Sequence, residues 1–326
     1  FFQAEDGIRD VAVTGVQTCA LPIYVRPPLT VDAFSVVRLH ARAVPDARSR
    51  ATLGPEREGT GIVIDSSGLI LTIGYLIQEA ESVEINAVDG RKSPATVIAY
   101  DYATGFGLLR ALTPPVIKPI EFGESKGLPD REPVLIVGFD GVAPAFVVSK
   151  RPFAGNWEYM LDEAIFTAPA TVNWQGAALV NKSGKLIGVG SLAVGDAVGG
   201  RQVPGNMFVP IDLLKPILGN LIAQGKAGDK PRPWLGVNTQ DLQGKLMVTR
   251  VSPDSPADKA GLAAGDIILG VRGEQFKGHA DFYKKIWSSG EAGAEIELNV
   301  LKGTEVQKLG VKSIDRESYL RPKPVY

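Results

Sequence analysis

Short apolar runs alternate with polar residues along most of the chain, and small polar turns separate them. Between residues 59 and 111 the runs are joined by the turns Ser66–Gly68 and Asp89-Gly90, and such turns are typical of β-hairpins. An earlier run with the same alternation contains Val36, Val37 and Leu39. This pattern predicts a series of short strands closed into a β-barrel.

Further along the chain the pattern changes twice. Residues 134–139, 145–150, 158–170 and 206–211 again read as strands. The run Ile211–Gln224 instead spaces its apolar residues as a helix does, with Pro216 as a local disturbance. A Gly/Pro/charged linker follows at residues 226–233. Two folded units, with a boundary at this linker, are therefore predicted.

Composition excludes several classes of function. The 326 residues are 44% apolar and 22% charged, with a net charge of -1, so electrostatic attraction to nucleic acid is not expected. No apolar run approaches the roughly 20 residues of a membrane-spanning helix. The single cysteine, Cys19, allows neither an internal disulfide nor a cysteine-based metal site. We predict no metal, no cofactor, no nucleic-acid partner and no membrane span.

The first 23 residues do not resemble the rest of a folded domain. Phe1–Ile23 resembles a translated sequencing adapter, and we expect this segment, Cys19 included, to be foreign to the protein. It is left out of the fold prediction.

The run Asn173–Asn181, NWQGAALVN, resembles a motif of the HtrA/Deg family of trypsin-like serine proteases, Gly-Asn-Ser-Gly-Gly-Pro-Leu-Val-Asn. In this comparison Asn173 and Trp174 correspond to the oxyanion loop, and Gln175 replaces the nucleophilic serine. The run LTIGYLI resembles the family's Leu-Thr-Asn-Asn-His-Val-Val, with Tyr75 in place of the basic histidine. In the run after Asp101, Gly105 replaces the family's orienting aspartate.

These three replacements predict a catalytic triad that has been lost. A phenol with a pKa near 10 is a weak base at neutral pH, glycine has no carboxylate, and an amide is not a nucleophile. Two other pairs are candidates for a substitute active site, Asp101 with Tyr75 and Ser183 with Lys182. Their residue types also favour turns for conformational reasons alone. His40 is expected to be a surface or packing residue rather than a base.

Aromatic residues near the expected cleft have two interpretations. Trp157, Tyr159 and Trp174 would stack on a bound peptide or, more commonly, fill a barrel core.

The chain after Trp234 resembles a bacterial PDZ domain, above all in the run SPADKAGLAAGDII from Ser255. A PDZ domain adds a C-terminal peptide to a sheet edge and holds its carboxylate with backbone N–H groups. The resemblance implies that the loop Leu235, Gly236 and Val237 supplies those donors. The helix Ala280–Trp287 would face the loop and offer Phe282, Tyr283 or Ile286 as a pocket wall; the alternative is that these three residues belong to the core. His279 at the start of the helix is expected to be a capping or surface residue.

Taken together, the resemblance implies a mostly β protein, a trypsin-like double β-barrel followed by an α+β PDZ domain. The expected bounds are 24–225 for the barrels, 226–233 for the linker, 234–316 for the PDZ domain and 317–326 for a tail. The implied function is an inactive protease homologue in the bacterial periplasm that binds unfolded polypeptides or protein C-termini in quality control. An active endopeptidase with a rebuilt site, and a structural subunit in oligomers with an active paralogue, are the alternatives; homo-oligomers are also possible.

Overall fold

The first unit is a closed barrel of six antiparallel strands. The computed structural model describes residues 34–228 and 230–320, so the adapter-like segment 1–23 and Cys19 lie outside the described residues. The barrel order is β1-β2-β3-β6-β5-β4. Its strands are β1 (Val36–Ala43), β2 (Glu56–Val63), β3 (Leu69–Ile73), β4 (Ala80–Asn86), β5 (Lys92–Tyr100) and β6 (Phe106–Ala111).

A second closed barrel follows, with the order β10-β11-β12-β9-β8-β7. Its long central hairpin, β8 with β9, pairs Gly155 with Tyr159 at the tip. The strands are β7 (Pro133–Gly138), β8 (Gly141–Gly155), β9 (Tyr159–Ala168), β10 (Ala178–Val180), β11 (Leu186–Val194) and β12 (Gly205–Pro210).

The third unit is a five-stranded antiparallel sheet with its strands in sequence order. Its strands are β13 (Val237–Leu242), β14 (Lys245–Val251), β15 (Ile267–Val271), β16 (Glu295–Lys302) and β17 (Glu305–Lys312). The helices of the described residues are α1 (Arg50–Leu53), α2 (Leu218–Gln224), α3 (Pro256–Lys259), α4 (Gly278–Ser288) and α5 (Arg316–Tyr319), with single 3₁₀ turns at Gly74–Leu76 and Ile211–Leu213.

Alternating strand residues fill the cores, as the sequence pattern predicts. One buried cluster spans the first barrel and part of the second, and a separate cluster fills the third unit. The third-unit cluster includes Phe282 and Ile286 of α4, and also Met160 from β9. The mostly β, two-barrel-plus-PDZ fold predicted from the sequence is thereby confirmed.

The structure adds detail at two places. The run Ile211–Gln224 is not one helix: it makes a 3₁₀ turn at Ile211–Leu213 and a helix only from Leu218 to Gln224, because Pro216 lacks a backbone N–H. The predicted tail from residue 317 is partly structured, because α5 includes Tyr319. The ring centroids of Tyr319 and Trp234 are 4.6 Å apart. The central guanidinium carbon of Arg48 lies 4.2 Å from the centroid of the Tyr319 ring.

Candidate functional site

A cavity of about 500 Å³ lies where the second barrel meets the first and the third unit. Tyr75 follows β3, Gly105 precedes β6, and Gln175 lies in the loop between β9 and β10. All three residues line this cavity. The fold therefore brings together the three positions that the sequence comparison aligned with a catalytic triad.

The phenol of Tyr75 is engaged as a hydrogen-bond donor. Its hydroxyl donates to the backbone carbonyl of Ser191 at 2.8 Å. Burial, together with the neighbouring Tyr100, raises the pKa of Tyr75 well above its ordinary value of 10.0. Because the group stays protonated and its proton is already committed to a carbonyl, Tyr75 cannot act as a general base at neutral pH.

Gly105 has no side chain, and another residue fills the space beside it. The Gly105 backbone is left-handed, with φ of +89°, and a Cβ there would lie 3.1 Å from the hydroxyl oxygen of Tyr159. That hydroxyl donates to the Thr104 carbonyl at 2.6 Å. Burial also raises the pKa of Tyr159 well above its usual value. A neutral phenol thus lies beside the position of the family's aspartate.

The loop that carries Gln175 is held tightly against β2. The Thr60 amide donates to the Gln175 carbonyl at 2.8 Å. The next residue, Gly176, has φ of +73°, and a Cβ there would lie 2.2 Å from the Thr60 carbonyl oxygen, so this approach requires glycine. The Gln175 side chain is exposed and brings an amide, not a nucleophile, to the cavity.

The oxyanion-loop positions are also altered. The backbone N–H of Asn173 donates a long hydrogen bond, 3.4 Å, to the side-chain oxygen of Thr171. Thr171 is in turn tied by its own amide to the side-chain oxygen of Asn206 at 2.8 Å. Asn206 is fully buried, so this hydrogen bond fixes the loop that carries Thr171 and Asn173 to the barrel. The Asn173 N–H is therefore directed to its own loop.

Neither substitute constellation is assembled at the cavity. The carboxylate of Asp101 accepts hydrogen bonds from the amide and hydroxyl of Thr104 within its own turn. Ser183 and Lys182 lie in the hairpin between β10 and β11, where the Lys182 ammonium is 3.7 Å from Glu132. Asp101, Lys182 and Ser183 do not line the cavity. His40 also lies elsewhere, on β1, with its ring nitrogen 3.2 Å from Glu56.

The three aromatic candidates do line this cavity. The rings of Trp157 and Tyr159 stack with centroids 5.9 Å apart and planes 6° apart, and Trp174 also lines the space. Other lining residues were not predicted, because they come from distant parts of the chain: Arg48, Trp234, Arg250, Arg316 and Tyr319. The cavity therefore combines aromatic walls with guanidinium groups.

The predicted carboxylate loop of the third unit already holds a carboxylate, that of Glu158. Leu235 and Val237 each donate a backbone N–H to Glu158 at 2.9 Å, and Gly236 donates at 2.7 Å. Burial raises the pKa of Glu158, while the three N–H donors act in the opposite direction. Glu158 was not predicted, because nothing local in the sequence marks a glutamate in a hairpin as the partner of a loop 77 to 79 positions away.

The three candidate pocket-wall residues of α4 are buried, and Tyr283 has only 1% of its surface exposed. Phe282 and Ile286 have no exposed surface, and they belong to the cluster that includes Met160 of β9. His279, in the first turn of α4, contacts the Thr239 carbonyl at 3.1 Å. In this conformation the candidate groove residues therefore pack within their own chain.

Residues 34–228 and 230–320 contain neither a membrane-spanning helix nor a metal-binding cluster. No helix there is long and apolar enough to cross a membrane. Within the same ranges no group of three or more His, Cys, Asp or Glu side chains is placed to hold a metal ion.

Family models and solved structures match both parts of the chain. The model of the trypsin-like peptidase domain matches residues 59–189, and that of the PDZ domain matches residues 233–312. The HtrA-type protease AlgW with decapeptide shares the fold with a TM-score of 0.52 at 20% identity, covering 90% of this chain and 97% of that chain. The chain therefore consists of a trypsin-like domain followed by a PDZ domain, and it shares this fold with that structure. The serine endoprotease from Yersinia pestis gives a TM-score of 0.51 at 21% identity, over 89% and 99% of the two chains.

Curated proteins that are similar to this chain carry protease names. The serine protease Do-like HtrA of Bacillus subtilis is 25% identical, over 77% of this chain and 62% of the relative. The periplasmic pH-dependent serine endoprotease DegQ of Escherichia coli is 28% identical, over 75% and 56%. The serine protease PepD of Mycobacterium tuberculosis is 29% identical, over 75% and 58%. The chain spans roughly three fifths of the length of these relatives.

Proposed function

We propose that this HtrA-type chain binds unfolded polypeptides or protein C-termini without cleaving them. The observation that carries the proposal is the chemistry of the cavity: the positions of base, orienting acid and nucleophile hold Tyr75, Gly105 and Gln175. Acyl transfer needs a nucleophile that loses its proton to a base within hydrogen-bond reach. Neither role has a competent side chain at these three positions.

The residual catalysis that a damaged site can retain is also reduced. In the serine-protease template, loss of a triad member leaves roughly 10³ to 10⁴ of rate enhancement, which comes from the oxyanion hole and substrate binding. Here the Asn173 N–H donates to the Thr171 side chain within its own loop. This geometry supports a weaker oxyanion hole, and therefore less of that residual activity.

Peptide binding is supported by the PDZ domain and by the cavity lining. The loop Leu235–Val237 directs three backbone N–H groups at a carboxylate, which is the chemistry that receives a chain terminus. Trp157, Trp174 and Tyr159 offer aromatic surface at the cavity, and such rings pack well against extended apolar segments. The solved relative AlgW is described with a decapeptide.

We place this activity in the bacterial periplasm, in protein quality control. The support is the naming of relatives from Marinomonas and Escherichia coli as periplasmic proteases. The same names favour one rival function, endopeptidase activity from a rebuilt site.

The test is a binding measurement that also reports cleavage. Fluorescently labelled casein, an unfolded protein, is titrated with the purified chain and followed by anisotropy, and its mass is then measured after prolonged incubation. The proposal predicts saturable binding with intact casein. Absence of binding, or peptides released at a rate proportional to the concentration of the chain, would overturn it.

A further inference from the structure

The tip of the β8–β9 hairpin, residues 155–160, enters the PDZ domain of the same chain. We propose that Glu158 is an internal ligand of this domain, and that its side-chain carboxylate occupies the site that receives the C-terminal carboxylate of a bound polypeptide. The inference rests on the proposed function, since it concerns the same groove.

The carboxylate is held as a terminal carboxylate would be. Three consecutive backbone N–H groups donate to its two oxygens at 2.7 to 2.9 Å. The loop can take this shape because Gly236 has φ of +91°, and a Cβ there would lie 2.3 Å from the Cβ of Ser255. Glu158 is itself 7% exposed, and a buried carboxylate at such a site is stable only with donors of this kind.

The backbone next to Glu158 also imitates a bound peptide. The Thr239 amide of β13 donates to the Asn156 carbonyl at 3.0 Å. From the facing helix α4, the Tyr283 hydroxyl donates to the Gly155 carbonyl at 2.6 Å and accepts from the Glu158 amide at 3.1 Å. The hairpin tip is thus held between β13 and α4, where a PDZ ligand adds a strand.

An apolar side chain of the hairpin also corresponds to a group of a bound C-terminal peptide. Met160, two residues after Glu158, is 8% exposed and belongs to the buried cluster of the PDZ domain, with Phe282 and Ile286. The hairpin therefore supplies a carboxylate, a strand-like carbonyl and an apolar side chain together. A polypeptide with a free terminal carboxylate and an apolar last residue presents the same three groups.

Internal occupancy has a quantitative consequence for an external ligand. A peptide can enter the groove only in the fraction of molecules whose hairpin has left it, and its apparent affinity falls by that fraction. The chain is thus expected to bind C-termini weakly until the hairpin is displaced.

The first experiment measures this competition in the full chain. A short fluorescent peptide ending in valine with a free carboxylate, and the same peptide amidated, are titrated by anisotropy. We expect Glu158→Ala to bind the free peptide at least about 10-fold more tightly than the parent chain, and Glu158→Gln to fall between them. The matched control, Glu163→Ala, removes an exposed glutamate of the same strand β9 and should bind as the parent does. No variant should bind the amidated peptide.

The second experiment needs no external ligand. Amide hydrogen exchange at Leu235, Gly236 and Val237 is expected to be slow in the parent and in Glu163→Ala, and faster in Glu158→Ala. Melting curves establish that each variant is folded, and Glu158→Gln, which keeps the side-chain size, serves if Glu158→Ala does not fold.

The outcomes separate the inference from the proposed function. Equal exchange in the parent and in the folded Glu158 variants would overturn the internal ligand, and so would equal affinity for the free peptide. Faster exchange in Glu158→Ala, with no peptide bound by any variant, would support the internal ligand but contradict peptide binding by the PDZ groove.

Discussion

The hydroxyl oxygen of Tyr159 lies 3.1 Å from the point where a Cβ on Gly105 would be. The same hydroxyl donates to the carbonyl of Thr104, the residue before Gly105. The two positions are therefore coupled, and a side chain at residue 105 requires movement of Tyr159. The catalytic carboxylate of the family cannot be restored here by a single substitution without structural cost.

This coupling predicts a stability difference between two glycine substitutions. Gly105→Ala and Gly90→Ala both place a side chain on a left-handed backbone, with φ of +89° and +82°, at a cost of about 1–2 kcal/mol each. Gly90 has nothing within 4 Å of its Cβ position. We expect Gly105→Ala to lose about 1 kcal/mol more in free energy of unfolding, because of the crowding against Tyr159.

The additional loss of stability in Gly105→Ala, compared with Gly90→Ala, is testable in a double-mutant cycle by urea denaturation. Tyr159→Phe removes the hydroxyl and should recover the excess in the Gly105→Ala background but leave the cost of Gly90→Ala unchanged. Equal costs for the two glycine substitutions would contradict the coupling.

A second prediction concerns the hydrogen bond of Tyr75. Tyr75→Phe leaves the partly buried carbonyl of Ser191 without this donor, and we expect a loss of about 1–2 kcal/mol in the free energy of unfolding. Tyr319→Phe is the matched control, because it removes an exposed bond of the same 2.8 Å length to Pro253. Its expected cost is below about 0.5 kcal/mol. Chemical denaturation measures both free energies of unfolding. If Tyr75→Phe left the free energy of unfolding unchanged, the hydrogen bond from Tyr75 to Ser191 would not stabilise the fold.

A third prediction is a pH-dependent contribution from Asp212, which joins the end of β12 to the segment between the barrels. Burial would raise its pKa, but Lys215 and the amides of Lys126 and Ser125 outweigh it and lower the pKa from 3.8 to about 2. Because the folded-state pKa is depressed, the ionised group stabilises the fold above pH 3.8, and this contribution is lost as the pH falls towards 2.

Asp212→Asn should therefore be less stable than the parent at pH 7 by about 1 kcal/mol, a figure reduced for partial solvent screening. The difference should shrink between pH 4 and about pH 2. Melting temperatures across this range measure it, with Asp162→Asn, an exposed aspartate on β9, as the control. A difference that stayed constant with pH would remove the ionic explanation.

Sequence patterns predicted the fold where structure is local. The Ser66–Gly68 and Asp89-Gly90 turns mark hairpins, and the run from Ser255 marks the PDZ domain, because glycine and proline set backbone conformation at fixed offsets. Pro216 likewise signalled the interrupted helix. These features depend on neighbours in the chain.

The contacts between units could not be predicted in this way. Glu158 reaches a loop 77 to 79 positions away, and Tyr319 reaches Arg48 across most of the chain. A glutamate at a hairpin tip normally indicates a solvated turn, and only the packed structure shows that backbone donors surround it. The crowding of Gly105 by Tyr159 is hidden from the sequence for the same reason.

The most direct test of the central claim is whether the purified chain cleaves peptide bonds. Labelled casein and a fluorophosphonate probe for activated serines are incubated with the parent, with Gln175→Ala, and with Ser183→Ala and Lys182→Ala. We predict no labelling by the probe, and any trace of cleavage should be equal in all four proteins, as expected for a contaminant. Cleavage or labelling that one of these substitutions abolishes would contradict the account.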